Sequence, residues 1–84
     1  MSVFRIEVRV MPRAALLDPQ GQAVERALHA LGFGEVARVR MGKHLVLAVE
    51  AGSREEALAR ARAMCDRLLA NPVTEDYDLA VEAA

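Results

Sequence analysis

Phe4-Arg5-Ile6-Glu7-Val8-Arg9-Val10 alternates apolar and charged side chains without a break. Successive side chains on a strand point to opposite faces, so Phe4, Ile6, Val8 and Val10 share one face and Arg5, Glu7 and Arg9 the other. The stretch reads as a strand with one buried face, and the fold is built outward from it. Tyr77, Leu79 and Val81 alternate with Asp78, Ala80 and Glu82 near the other end of the chain, giving a last strand. Between them lie two extended runs, Val36–Met41 and His44–Glu50, separated by Gly42-Lys43. These read as a hairpin whose glycine takes a positive φ at the turn, with Leu45, Leu47 and Val49 facing inward.

Helical segments fill the two gaps. Met11–Leu17 is a loop opened by Pro12, and Asp18-Pro19 then starts a helix. Aspartate at the N-cap accepts a backbone N–H, and proline in the first turn loses no hydrogen bond. Val24, Ala27, Leu28 and Leu31 recur at helical spacing, and Gly32 supplies a left-handed stop. Ser53–Glu56 is a capping box for the second helix, whose buried side carries Leu58, Ala61, Cys65, Leu68 and Leu69. Arg54, Arg60, Arg62 and Arg67 form its wet face, with Glu56 and Arg60 spaced for an i, i+4 ion pair. Asn71-Pro72 ends it. The order is βαββαβ, and with both helices on one face of an antiparallel sheet the α+β, ferredoxin-like two-layer sandwich is the simplest closed arrangement.

Composition narrows the function. The 84 residues make one domain, 1–84, of 54% hydrophobic and 27% charged residues. A chain this short buries only roughly 60% of the surface its unfolded form exposes, which favours completion by another chain. A net charge of −1 offers no electrostatic footprint for phosphate backbones, so nucleic acid is not an expected partner. Met1–Val10 holds no continuous apolar stretch, so neither a signal peptide nor a membrane span is expected, and the single cysteine fits a reducing cytoplasm.

Residues that carry chemistry have structural readings. Cys65 lies on the apolar stripe of the second helix with no histidine near it in sequence, as a packed thiol does. His29 and His44 share no ligand spacing, so no metal site is expected. Gly32-Phe33-Gly34 follows a helix where a dinucleotide fingerprint follows a strand. Glu55 and Glu56 suit the positive end of a helix dipole, and Glu75, Asp76 and Asp78 suit a solvated strand edge. Catalytic, cofactor and metal residues are therefore set at none. Turn and cap chemistry explains Asp18, Pro19, Gly42, Asn71 and Pro72. It explains Gln20, Gly21 and the Arg40/Lys43 pair less well: glycine within a first helical turn costs about 1 kcal/mol relative to alanine.

Four stretches together resemble the PurS family, the small subunit of phosphoribosylformylglycinamidine (FGAM) synthase in purine biosynthesis. The matching stretches are Val8–Pro12, Leu17–Gly21, Val39–Lys43 and Cys65–Tyr77, in order and spanning nearly the whole chain; Arg13 stands where the pattern has lysine. The resemblance implies a non-catalytic, dimeric subunit that bridges a glutaminase subunit and a large synthetase subunit and assists ammonia transfer, with ATP and Mg on the large subunit. Two readings compete, an ACT-like module binding a small ligand at a dimer interface and an acylphosphatase-like enzyme. The ACT type is normally attached to an enzyme, and Pro12–Leu17 is too apolar to cradle phosphate. Topology places Asp18, Gln20, Gly21, Arg40, Gly42, Lys43, Asn71, Pro72 and Glu75 at one end of the molecule, where they are expected to form a partner-docking edge. There the glycines let another backbone approach, and the Lys43 side chain is solvated. Self-association is expected through sheet edges or the sheet's uncovered face, where Val46 and Ala48 lie.

Overall fold

A computed structural model describes residues 1–14 and 16–83. The central strand β1, Ser2–Pro12, pairs antiparallel with β2, Lys43–Ala51, on one side and β3, Glu75–Ala83, on the other, giving the order β2-β1-β3. Val8 sits between Leu45 and Leu79, and Ile6 between Leu47 and Val81. One face of the sheet is therefore aliphatic across all three strands.

Helix α2, Arg54–Met64, lies on that face. Ser53 caps it by accepting from the Glu56 N–H at 3.1 Å, and the Glu56 carboxylate accepts from the Gly52 N–H at 3.2 Å. Ala57, Ala61 and Cys65 recur at one-turn spacing and are fully buried with Ile6, Val8, Val10 and Ala51. Alanines let the helix axis approach the sheet closely, and each buried β1 aliphatic side chain contributes about 1.5–3 kcal/mol. The opposite face is a ladder of ion pairs, Arg5 with Glu82 at 2.6 Å and with Glu7 at 2.8 Å, and Arg9 with Asp78 at 3.4 Å. It faces water.

Helix α1, Pro19–Ala30, begins as read: the Gly21 N–H donates to Asp18 Oδ1 at 2.9 Å. Its end is as read too, with Gly32 at φ 100°.

The α+β, ferredoxin-like class stands, and two details within it differ from expectation. Val36–Met41 is extended but unpaired, so the sheet has three strands where βαββαβ would give four. Gly42 has no positive φ, so no hairpin turn folds this run back on β2. Side chains hold it elsewhere: His29 Nε2 lies 2.7 Å from the Val36 carbonyl, and Arg38 donates to the Ala14 carbonyl at 3.0 Å. The loop expected over Met11–Leu17 contains Ala15, which lies outside the described residues.

The second difference is α1, which packs on neither the sheet nor α2 beyond marginal contact, so that among the described residues the helical segment from α2 onward is what covers the sheet. The molecule is consequently elongated, 51 × 26 × 14 Å, with a radius of gyration of 16.4 Å where about 12 Å is usual for this length.

Two glycines are required by the chain's own backbone. A Cβ on Gly21 would run into the Val39 carbonyl, and one on Gly42 into the Val10 carbonyl and Met11. Gly42→Ala is expected to lose about 1–3 kcal/mol of stability by overpacking. Gly34, with nothing near its missing Cβ, is expected to accept alanine within about 0.5 kcal/mol. Urea unfolding midpoints check both; equal midpoints for the two variants would contradict the packing.

Candidate functional site

The antiparallel register brings three segments to one end of the sheet. Val10 pairs with Lys43 and Pro12 with Glu75, so the end of β1 meets the beginnings of β2 and β3. Asp18 then ties the first segment to the second. Its Oδ2 accepts from the Met41 N–H at 2.8 Å while Oδ1 caps α1. The Gly21 and Met41 N–H groups, in that order, hold the carboxyl below its ordinary value of 3.8, and the charges of Arg40 and Arg38 add to them.

The third segment is closed on the other two by cations that donate to backbone carbonyls. Lys43 Nζ donates to the Leu69 carbonyl at 2.9 Å, and Arg13 donates to the Pro72 carbonyl at 2.7 Å. Arg40 donates to the Pro12 carbonyl, and the Asn71 N–H donates to Glu75 Oε1 at 2.7 Å. A shallow depression of about 530 Å³ spans the junction, lined by Asp18, Gln20 and Glu75 with Leu16, Leu17 and Met41 among others. Asp18, Gln20, Gly21, Arg40, Gly42, Lys43, Asn71, Pro72 and Glu75 thus share one region.

Three features there escaped the sequence reading. Gly21 and Gly42 are approached by the chain's own backbone. Lys43 is exposed, as its turn position suggests, and its ammonium also donates to the Leu69 carbonyl at the end of the second helical segment. Arg13 and Arg38 help fasten the loops, and nothing in their spacing announces it, because their carbonyl partners are set by the tertiary fold.

The reactive side chains are quiet. Cys65 is buried, and burial followed by the Asp66 charge pushes its thiol up from the ordinary range. Burial and the hydrogen bond it donates to Asp66 at 3.0 Å push the Tyr77 phenol up as well. Among the described residues no group of three or more His, Cys, Asp or Glu is arranged to hold a metal ion, and no helix is long and apolar enough to cross a membrane.

Fold and loop end together define a small ferredoxin-like α+β protein whose three loop segments meet at one end of its sheet. Residues 5–83 match the family described as PurS, phosphoribosylformylglycinamidine (FGAM) synthase. The phosphoribosylformylglycinamidine synthase subunit PurS of Bacillus subtilis is 41% identical over 80 residues, covering 95% of this chain and 94% of that one. A solved structure of B. subtilis PurS superposes with a TM-score of 0.86 at 42% identity, covering 94% and 98% of the two chains. A chain of the PurLQS structure from Thermotoga maritima superposes with a TM-score of 0.89 at 34% identity, covering 98% and 100%. The chain belongs to the PurS family.

Two measurements probe the loop end. Lys43→Glu removes a cation at a helical C-terminus and sets a carboxylate beside the Leu69 carbonyl. It is expected to cost about 1 kcal/mol in urea unfolding, with Lys43→Met costing less; an unchanged midpoint would contradict the capping contact. For Asp18 the folded pKa lies below the unfolded one, so its contribution is present above the ordinary value. That contribution fades as pH falls from about 5 through the folded pKa. Asp18→Asn is therefore expected to be less stable than wild type at neutral pH, with the gap closing as pH falls through the lowered folded pKa. A gap independent of pH would refute the anchoring of this carboxylate.

Proposed function

We propose that this chain, as a single domain over 1–84, is the PurS subunit of an FGAM synthase. It acts in the cytoplasm without catalytic residues of its own, bridges the glutaminase and large synthetase subunits, and assists ammonia transfer between them. ATP and Mg belong to the large subunit. The observation that carries this reading is the family match from residue 5 to residue 83, because it includes the loops and α1 as well as the sheet that many ferredoxin-like proteins share.

The geometry supports a chain made to be completed by others. It exposes 5879 Å², where a folded monomer of this length exposes about 4,900 Å². The surplus of about 1,000 Å² is the size of one partner's side in a standard interface. Exposed apolar side chains on and after α1 belong to that surface: Leu31 is 74% exposed and Phe33 48%. A second copy is the occupant that fits this face. Beside α2 the sheet has a lane over Leu45, Leu47 and Val49 that one helix leaves half-covered, and the outer edge of β2 is open. At the loop end, exposed Gln20, Arg40, Asn71 and Pro72 are offered to the larger subunits.

Sedimentation equilibrium at micromolar concentration is expected to give at least a dimer, and Leu28→Lys with Leu31→Lys to shift it towards monomer by at least tenfold in dissociation constant. A wild-type monomer would contradict the self-association. Mixed with the glutaminase and large subunits, glutamine and ATP-Mg, the chain is expected to raise glutamine-dependent FGAM formation, while alone it turns over neither glutamine nor ATP. Glutaminase or ATPase activity that co-fractionates with this chain alone would overturn the non-catalytic role.

A further inference from the structure

After Met64 the second helical segment widens into a π-helical turn, Cys65–Leu69, closed by the Ala70 N–H donating to the Cys65 carbonyl at 3.0 Å. Such turns are rare and gather at functional positions. Here the extra residue shifts the buried series. Ala57, Ala61 and Cys65 follow one another by four, and the next buried residue is Ala70, five on. Leu69 stays packed against the core, and Leu68 is turned out to 81% exposure, although helical periodicity places it on the buried side. The turn thus presents a leucine to the outside.

Leu68 is not isolated. It lines a shallow depression of about 230 Å³ with Ala63 and Met64, flanked by Arg60 and Arg67. Seven residues apart, the two arginines lie about 10 Å from each other along the axis. The carboxylates that would neutralise them are held elsewhere. Glu56, one turn before Arg60, bends back to the Gly52 N–H, so the expected Glu56–Arg60 pair does not form. Asp66, next to Arg67, accepts from the Tyr77 hydroxyl. Among the described residues neither arginine has an ion-pair partner.

We propose that this outer face is a docking surface for an acidic, amphipathic segment of another subunit, deepening the subunit reading on which it rests. An apolar side chain fills the space beside Leu68 and Met64, and carboxylates on either side meet Arg60 and Arg67. The occupant is drawn from another subunit rather than from a second copy: Glu7, Asp78 and Glu82 are held by arginines of the sheet and Asp18 and Glu75 by backbone N–H groups, while Glu25 and Glu35 stand on and just after α1, the face given above to self-association.

The test measures binding of the full chain to the glutaminase and large subunits of the same source by titration calorimetry at two salt concentrations. Leu68→Asp and the double variant Arg60→Glu/Arg67→Glu are each expected to weaken binding to one of the two subunits at least tenfold. The charge-reversed pair is also expected to flatten the salt dependence. Arg60→Lys/Arg67→Lys, which keeps the charge, and Arg54→Glu, outside the depression, are expected to stay within threefold of wild type. Since all these side chains are at the surface, the melting temperature checks that each variant is folded. Wild-type affinity in both Leu68→Asp and the charge-reversed variant would overturn the proposal, as would a loss confined to self-association, which would make the occupant a second copy. A wild-type chain that binds neither subunit would remove the subunit reading itself, and this surface with it.

Discussion

Everything in this molecule hangs on β1 being the middle strand. It is hydrogen-bonded on both edges, so its alternation is imposed on both neighbours through the register. Phe4, Ile6, Val8 and Val10 set one apolar face across three strands, and Arg5 and Arg9 set an ion-pair face against Glu82 and Asp78. A single-residue slip would exchange the two faces and bury the charges. The apolar face has to be covered, and among the described residues only α2 and its π-helical extension do so.

That shortage links the fold to its proposed role. A three-stranded sheet under one helix gives a small core, and α1 adds nothing to it. The apolar stripe of α1 and the flank of the sheet are left over, in a chain whose surface exceeds that of a closed monomer by about one interface side. The loop end is rigid for a different reason. Its carbonyls at Leu69, Pro72, Pro12 and Ala14 receive donors from Lys43, Arg13, Arg40 and Arg38, so cations substitute for backbone pairing where the strands stop. A fixed loop cluster beside unfinished apolar surface suits a subunit that positions other proteins.

Local chemistry was legible in the sequence, and long-range choices were not. The strand alternation, the Asp18 and Ser53 caps and the Gly32 stop depend on near neighbours, and each was read where it stands. The pattern of Val36–Met41 favours extended backbone and so predicts a paired strand; whether such a run finds an edge depends on side chains such as His29 and Arg38 that hold it elsewhere. The stripe on α1 was visible, but a stripe does not say which surface covers it. Leu68 was assigned inward on a 3.6-residue period that the π-helical turn breaks. The gathering of Asp18–Gly21, Arg40–Lys43 and Asn71–Glu75 followed from strand direction. That Val39 and Val10 fill the space beside Gly21 and Gly42, and that Lys43 caps the Leu69 carbonyl, required the tertiary fold.

In the proposed role this fold is finished by other chains, first by a second copy and then by larger subunits. Amide hydrogen exchange tests it most directly, followed residue by residue in the dilute chain, in the concentrated chain and in the presence of the glutaminase and large synthetase subunits. β1 and α2 are expected to be protected throughout, α1 amides to gain protection as concentration rises, and the loops around Asp18 and Asn71 to gain it when the other subunits are added. Protection of α1 and of both loops that is the same in all three conditions would contradict it.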